Sequence, residues 1–213
     1  MNLILSETNR SIVYLKNILE KNIQIDNIIY YSSKKKKLYM TLKNNFLQKT
    51  YFLKTEDINS KIIENIISKI KGSFLYSGYP SGIIKNKKVL KRSIYHCHPG
   101  DVPEFKGSTT IFYALALKKK VTVSCFKLTD KIDEGQIVYK KKFKLRPNIK
   151  DLESNLYDDE IRAKTFVEFM NNKTKLKKIN SNNKKSSYYY IAHPVIRGIV
   201  LQKNFLNKIY KDI

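Results

Sequence analysis

Two cysteines, Cys97 and Cys125, are too few for a disulfide framework and lack metal-ligand spacing. They suit reduced, half-buried strand positions, so a cytoplasmic setting is expected. No apolar run reaches the roughly 20 residues needed to span a bilayer. The stretch 191–201 is interrupted by His193, Pro194 and Arg197. Met1 to Ser6 has no basic segment ahead of its apolar residues and reads as a first strand, not a signal peptide. Acidic residues are scarce, 18 Asp and Glu against 42 Lys and Arg, for a net charge of +24. Such a balance invites a nucleic-acid reading. Only five of the basic residues are arginine, however, and arginine makes the bidentate and stacked contacts that nucleic acids favour. The lysines are scattered, with short runs at 34–37, 118–120 and 140–142. The expected surface is mostly solvated and steers a phosphorylated substrate; neither a nucleic-acid nor a membrane partner is expected.

Histidine and glycine are also sparse, and their distribution is uneven. Two of the three histidines lie in the stretch 95–110, and five of the seven glycines lie between Gly78 and Gly135. Glycine lets backbone approach a ligand closely. Two prolines and two glycines within 95–110 restrict a loop that follows a short apolar run and precedes a helix-like run, 111–117. In α/β proteins the carboxyl end of a parallel strand is where ligands bind.

Strand and helix patterns alternate through the first half, which indicates an α/β protein with a mainly parallel sheet. Strands are expected at 2–5, 26–31, 50–53, 73–76, 93–97, 121–128 and 137–143. Residues 12–19 form a helical face, and 34–47 fit either a weak helix or a strand. Asp57 to Ile70 reads as an amphipathic helix with Gly72 in the C′ position. Thr110 to Leu117 reads as a helix, as does Ile149 to Met170 with an N-cap near Asp151. Residues 171–187, rich in Asn, Lys and Ser, read as a linker or loop. The last dozen residues resemble a short helix with Phe205, Leu206 and Ile209. The organisation expected is a catalytic domain over 1–170, the polar segment 171–187, and a short extension over 188–213 packing on the domain. The apolar residues of that tail suit a homodimer contact or packing within the chain.

Three loops, 76–84, 96–107 and 129–135, carry the unusual residues, and a parallel sheet opens all three on one edge. His96, His98 and Asp133 then form an imidazole pair and a carboxylate on one rim. A neutral imidazole takes a proton from an attacking nucleophile, and a carboxylate beside it stabilises the imidazolium. Residue type alone leaves His98 open as a turn residue beside proline, and Asp133 as a hairpin residue. His96 and His98 at i and i+2 also suit two zinc ligands, but no further Cys or His cluster completes four.

The ordered set His98-Pro99-Gly100 to Lys106-Gly107-Ser108-Thr109, then Val121-Thr122-Val123, then Asp133-Glu134-Gly135 resembles the formyltransferase fold family, whose members use N10-formyltetrahydrofolate. The resemblance implies a Rossmann-like formyltransferase fold, with helices on both faces of a twisted sheet. It places His98 as the catalytic histidine and Asp133 as the catalytic aspartate. His96 stands where the family usually has an asparagine thought to donate to the oxyanion, a role a ring N–H can fill. Gly82, Ile83 and Ile84 match the segment along the pterin, and Leu128, Thr129 and Asp130 the other side of that pocket. The family's substrates are initiator methionyl-tRNA, glycinamide ribonucleotide and nucleotide-linked amino sugars. Fewer than 45 residues follow residue 170, against a C-terminal barrel in the tRNA enzymes. The glycine-rich turn of the purine enzymes is absent from residues 6–10. Gly107-Ser108-Thr109-Thr110 and the tail 188–195 are similar to small bacterial sugar N-formyltransferases, so the resemblance implies a nucleotide-linked amino sugar as the substrate. Arg10 and Lys106 would pair with its phosphates, Tyr79 or Tyr14 would stack on its base, and Ser108 and Thr109 would line its site. His193 and the tyrosines before it read as site lining or as a structural turn. A non-catalytic basic RNA-binding relative is the alternative of another class.

Overall fold

The computed structural model describes residues 1–78, 82–118, 120–143, 152, 154–172, 179 and 186–209, the side chains of 203–209 excepted. Strands β1 (Asn2–Ser6), β2 (Ile28–Tyr31), β3 (Thr50–Leu53), β4 (Phe74–Tyr76), β5 (Ile94–His98), β7 (Val121–Lys127) and β8 (Ile137–Phe143) form one sheet in the order β3-β2-β1-β4-β5-β7-β8. β1 pairs in parallel with β2 and β4, β2 with β3, and β4 with β5; β8 runs antiparallel to β7. Two compact units divide the chain: Met1–His96 with Lys127–Lys131, and Cys97–Phe126 with Ile132–Ile213.

In the first unit the chain steps from β1 outward to β2 and β3, then returns beside β1 as β4. The strand order reverses between β1 and β4, the kind of switch point at which open α/β sheets bind ligands at the carboxyl ends of their strands. All five residues of β1 are buried, as a central parallel strand requires. Helix α1 (Asn9–Glu20) starts at Thr8, whose hydroxyl accepts the Ser11 N–H, and it buries Ser11, Tyr14, Leu15 and Ile18 on one face. The ambiguous stretch 34–47 is helical as α2 (Lys37–Phe46), because the Glu7 carboxylate caps it, accepting the Leu38 and Tyr39 N–H groups at 2.8 and 3.0 Å. Helix α3 (Lys61–Lys69) is shorter than expected. Asp57 instead closes a turn, its side chain accepting the Asn59 N–H at 2.8 Å. The helix ends at Ile70 in an extended conformation, so Gly72, with φ +90°, lies one position beyond C′. A short helix, α4 (Lys87–Leu90), is capped by the Asn86 side chain. Ile4, Ile29, Phe74 and Ile94 from four strands pack with Ile63, Ile67 and Val89 in this unit's core.

In the second unit, β6 (Lys106–Gly107) pairs in parallel with β9 (Tyr188–Tyr189), a two-stranded sheet that alternation patterns did not announce. Helix α5 (Thr110–Lys118) follows β6. Cys97 and Cys125 are fully buried, not half-buried. Helix α6 (Leu156–Asn172) begins after Asn155, whose φ of +58° breaks the helix expected from residue 149. The expected N-cap Asp151 lies outside the described residues, as does most of the segment 171–187, whose first two residues finish α6. Helix α7 (Pro194–Ile209) starts earlier than expected, with proline at its first position. His193 precedes it and accepts the Val195 N–H at Nδ1, 3.2 Å away, which makes this histidine a cap. Among the described residues, no helix is long and apolar enough to cross a membrane.

Candidate active site

β5 ends in His98, a residue buried to 4% exposure. Its Nε2 lies 3.1 Å from the Phe105 carbonyl oxygen and 3.2 Å from Thr110 Oγ1. Thr110, the first residue of α5, donates its hydroxyl proton to the Pro99 carbonyl at 2.8 Å. Both neighbours of Nε2 can therefore only accept, and the network assigns the ring proton to Nε2. Nδ1 then carries the lone pair, with Asp133 Oδ2 3.5 Å from it. Burial drives the His98 pKa below its ordinary 6.5; the Asp133 charge pulls upward and the Arg162 charge pushes further down, and burial prevails. The result is an imidazole held neutral, with its basic nitrogen beside a carboxylate that favours the protonated form once it appears.

The loops around it are built tightly. A Cβ on Gly100 would sit 2.3 Å from the Phe105 carbonyl oxygen and 2.7 Å from His98 Nε2, so only glycine lets this loop close over the ring. Asp133 has φ +52°, a left-handed conformation that aspartate tolerates better than most residues. Its Oδ2 also accepts the Gly107 N–H at 2.8 Å, which fixes the carboxylate toward the imidazole. Gly107 itself has φ +100°, and a Cβ there would meet the Tyr189 carbonyl oxygen at 2.2 Å. Its position follows from the β6–β9 pairing, where Lys106 donates to Ser187 and Ser108 donates to Tyr189 through their N–H groups. The Tyr189 ring stacks on Phe105 with centroids 5.1 Å apart. The segment 187–192 thus helps hold Asp133, a role no local sequence signal announced; only its apolar character after a polar stretch hinted that it packs.

No family model matches the chain. It is 29% identical over 143 residues to methionyl-tRNA formyltransferase of Orientia tsutsugamushi, a match covering 64% of this chain and 44% of that protein. The chain thus spans less than half the length of this curated relative. Among solved structures it is similar to a sugar N-formyltransferase from a Shewanella species, with a TM-score of 0.62 and 16% identity, covering 95% of this chain and 87% of that one. It is equally similar to an N-formyltransferase of Helicobacter canadensis solved with folinic acid and dTDP-3-aminofucose, with a TM-score of 0.62 and 20% identity over 98% of this chain and 81% of that one. The chain has the formyltransferase fold. Within that fold, His98 closes a sheet strand and Asp133 precedes the antiparallel one, in the order the motif resemblance implied.

The remaining expected residues fall into this formyltransferase fold as follows. His96 is on β5 in the first unit, with Nδ1 3.0 Å from the Tyr76 carbonyl oxygen. That contact requires a proton on Nδ1, so Nε2 offers a lone pair when the ring is neutral and an N–H when it is an imidazolium. Arg10 and Gly78 adjoin it: a Cβ on Gly78 would lie 3.0 Å from His96 Cε1 and 3.4 Å from Arg10 Nη1. Ile84 is buried in the first unit's core, and Leu128 packs on the same cluster. Ile83 is half exposed, and its carbonyl accepts from the Asn59 side chain, while the Gly82 carbonyl accepts the Tyr76 hydroxyl. Thr129 and Asp130 are exposed. Ser108 is exposed, and Thr109, with φ +50°, accepts the Ala192 N–H at 2.7 Å through its hydroxyl. Tyr79 lies outside the described residues, and Tyr14 is fully buried in α1, away from any stacking role on a solvent-facing base.

Lys106 is placed differently from a phosphate-pairing lysine. It is buried, its ammonium 2.7 Å from the Glu134 carboxylate and 3.9 Å from the Tyr188 ring centroid. Burial lowers the pKa of such an ammonium, but hydrogen bonds to Glu134 and Tyr188 more than offset it and leave it raised. Lys106 therefore stays charged and ties the β6 segment to the Asp133-Glu134 loop and to β9. Among the described residues, no group of three His, Cys, Asp or Glu side chains is placed to hold a metal ion.

Proposed function

We propose that the protein transfers a formyl group from N10-formyltetrahydrofolate to the amine of a nucleotide-linked amino sugar. The observation that carries this reading is the buried His98 with Nε2 anchored and Nδ1 aimed at Asp133, at the strand end of a chain with the formyltransferase fold. The donor supplies an electrophilic formyl carbon and leaves as tetrahydrofolate. His98 Nδ1 takes the proton that the attacking amine loses, and Asp133 stabilises the imidazolium that forms. The same imidazolium then returns a proton to the departing nitrogen, so the residue ends neutral. His96, two residues earlier on β5, supports the oxyanion through Nε2, which requires the imidazolium form because Nδ1 is committed to Tyr76. Ile83, half exposed, and Leu128 are the apolar residues of the first unit assigned to the pterin, whereas Ile84 is buried in that unit's core, and the Gly82 and Ile83 carbonyls are already paired.

The choice of amino sugar over other amines draws on the solved neighbours, one of which was crystallised with dTDP-3-aminofucose. The curated relative and the charge of +24 favour a second reading, methionyl-tRNA as acceptor. The deciding experiment is a mass-spectrometric assay with N10-formyltetrahydrofolate and a panel of nucleotide-linked amino sugars, with initiator methionyl-tRNA and glycinamide ribonucleotide alongside, run for the parent and His98→Ala. Addition of one formyl group to one sugar, lost in the variant, is the expected result. Formylation of tRNA alone would transfer the reading to the tRNA reaction. Absence of product from every acceptor, with salt-dependent RNA binding, would point to a non-catalytic relative.

A further inference from the structure

Helix α6 carries a buried ion pair that the proposed chemistry does not use. Arg162 and Asp158, one helical turn apart, are each 8% exposed. Arg162 Nε donates to Asp158 Oδ1 at 2.9 Å, and Nη1 donates to the Cys97 carbonyl oxygen at 2.7 Å. Cys97 immediately precedes His98 on β5. A buried charge pair is weak evidence for stability, since desolvation cancels much of its attraction. Apolar side chains of similar size would fill the same space. The fork geometry instead holds one particular backbone carbonyl, the one next to the imidazole, against a rigid helix.

We propose that Arg162, with Asp158, is a positioning residue for His98: it fixes the carboxyl end of β5 through the Cys97 carbonyl and sets a buried positive charge near the imidazole. The groups facing His98 come from every element packed on it. The Phe105 carbonyl and Thr110 hydroxyl hold Nε2, Asp133 faces Nδ1, Phe126 of β7 lies with its ring centroid 6.5 Å away, and α6 supplies Arg162 and Asp158. The neighbouring thiols of Cys97 and Cys125 are buried, and burial pushes the Cys125 thiol up, so Cys125 adds no charge near neutrality. The Arg162 charge disfavours the imidazolium of His98 and the Asp158 charge favours it, against a larger effect of burial. Arg162 thereby helps keep His98 neutral and able to accept a proton. The consequence for turnover rests on His98 being the general base of the proposed reaction; the electrostatic coupling does not.

The test follows the imidazole resonances of His98 by NMR as pH is varied, in the ligand-free protein. The chain has three histidines, so single substitutions of His96 and His193 assign them. Arg162→Met should move the His98 titration to higher pH, Asp158→Asn to lower pH, and Arg162→Lys should leave it near the parent. With a formyl acceptor in hand, Arg162→Met should lower kcat by about tenfold or more with KM little changed, the signature of a misplaced catalytic group. Arg162→Lys should lose part of that rate while retaining the parent pH profile. Should Arg162→Met fail to fold, Asp158→Asn still leaves the Cys97 contact intact and carries the test. A His98 titration unmoved in Asp158→Asn and Arg162→Met overturns the proposal, even with a fall in kcat, because that fall would then report a structural role only. Opposite shifts in the two variants without formyl transfer to any acceptor would support the coupling and reject the proposed reaction.

Discussion

Replacing Asp133 by asparagine isolates its charge from its shape. Asparagine can still accept the Gly107 N–H that Oδ2 accepts at 2.8 Å, so the loop should keep its conformation. What disappears is a negative charge 3.5 Å from His98 Nδ1. At an effective dielectric of about 20, unit charges at that separation attract by about 5 kcal/mol. The carboxylate shares its charge between two oxygens and the imidazolium between two nitrogens, so about half, 2–3 kcal/mol, is a reasonable working value. At 1.36 kcal/mol per factor of ten, kcat/KM should fall about 30- to 150-fold. The direction of the pH effect is also fixed. Burial already lowers the His98 pKa, and the Asp133 charge is the principal opposing influence. Its removal lowers that pKa further, so the acid limb of the kcat/KM profile moves to lower pH while the plateau drops. Stability follows the same sign. An unfolded His98 binds a proton more readily than the folded one, so folding stability is full above about pH 6.5 and declines as pH falls toward the folded pKa. The assay is formyl transfer followed by mass spectrometry across acid and neutral pH, with urea unfolding at each pH. A fall of less than about threefold, or an acid limb that moves upward, would refute the assignment of Asp133 as the carboxylate that stabilises the imidazolium.

Two further outcomes follow from the same geometry. His96→Asn restores the side chain usual in the family and supplies an amide N–H; it should retain activity that His96→Ala loses, and equal activity in the two variants would exclude His96 from the oxyanion site. Gly100→Ala places a methyl group 2.3 Å from the Phe105 carbonyl oxygen and 2.7 Å from His98 Nε2. It should cost about 1–3 kcal/mol in urea unfolding and most of the activity, whereas parent-like stability would mean that the loop does not close over the ring as described.

Much of the strand framework was legible because buried parallel strands are short apolar runs between polar turns. β1 and β4, wholly buried, lie within one residue of their expected bounds, whereas Ile62, expected on the apolar face of the 57–70 helix with Ile58, Ile66, Ile67 and Ile70, is 48% exposed and Ile63 is buried in its place. Helix ends were less legible, because their caps come from remote residues. Glu7 selects helix over strand for residues 37–46 from 31 positions upstream, and no window around α2 contains that information. Lys106 misled for a related reason. Lysine in a basic chain suggests an exposed anion contact, but its partners, Glu134 and Tyr188, are distant in sequence.

The sequence by itself determined the α/β class, the order of the strands along the chain, and the identities of His98 and Asp133 as a candidate pair, because these depend on local periodicity and on rare residue types at a rigid turn. Only the tertiary structure decided which nitrogen of His98 is basic, since that depends on Phe105 and Thr110 both being restricted to accepting at Nε2. It also decided that residues 187–192 hold the Gly107 loop against Asp133, and that Arg162 reaches the Cys97 carbonyl across 65 positions of sequence. Tautomer, charge environment and loop position arise from contacts between remote segments, and those contacts exist only once the backbone hydrogen bonds of the sheets have brought the segments together.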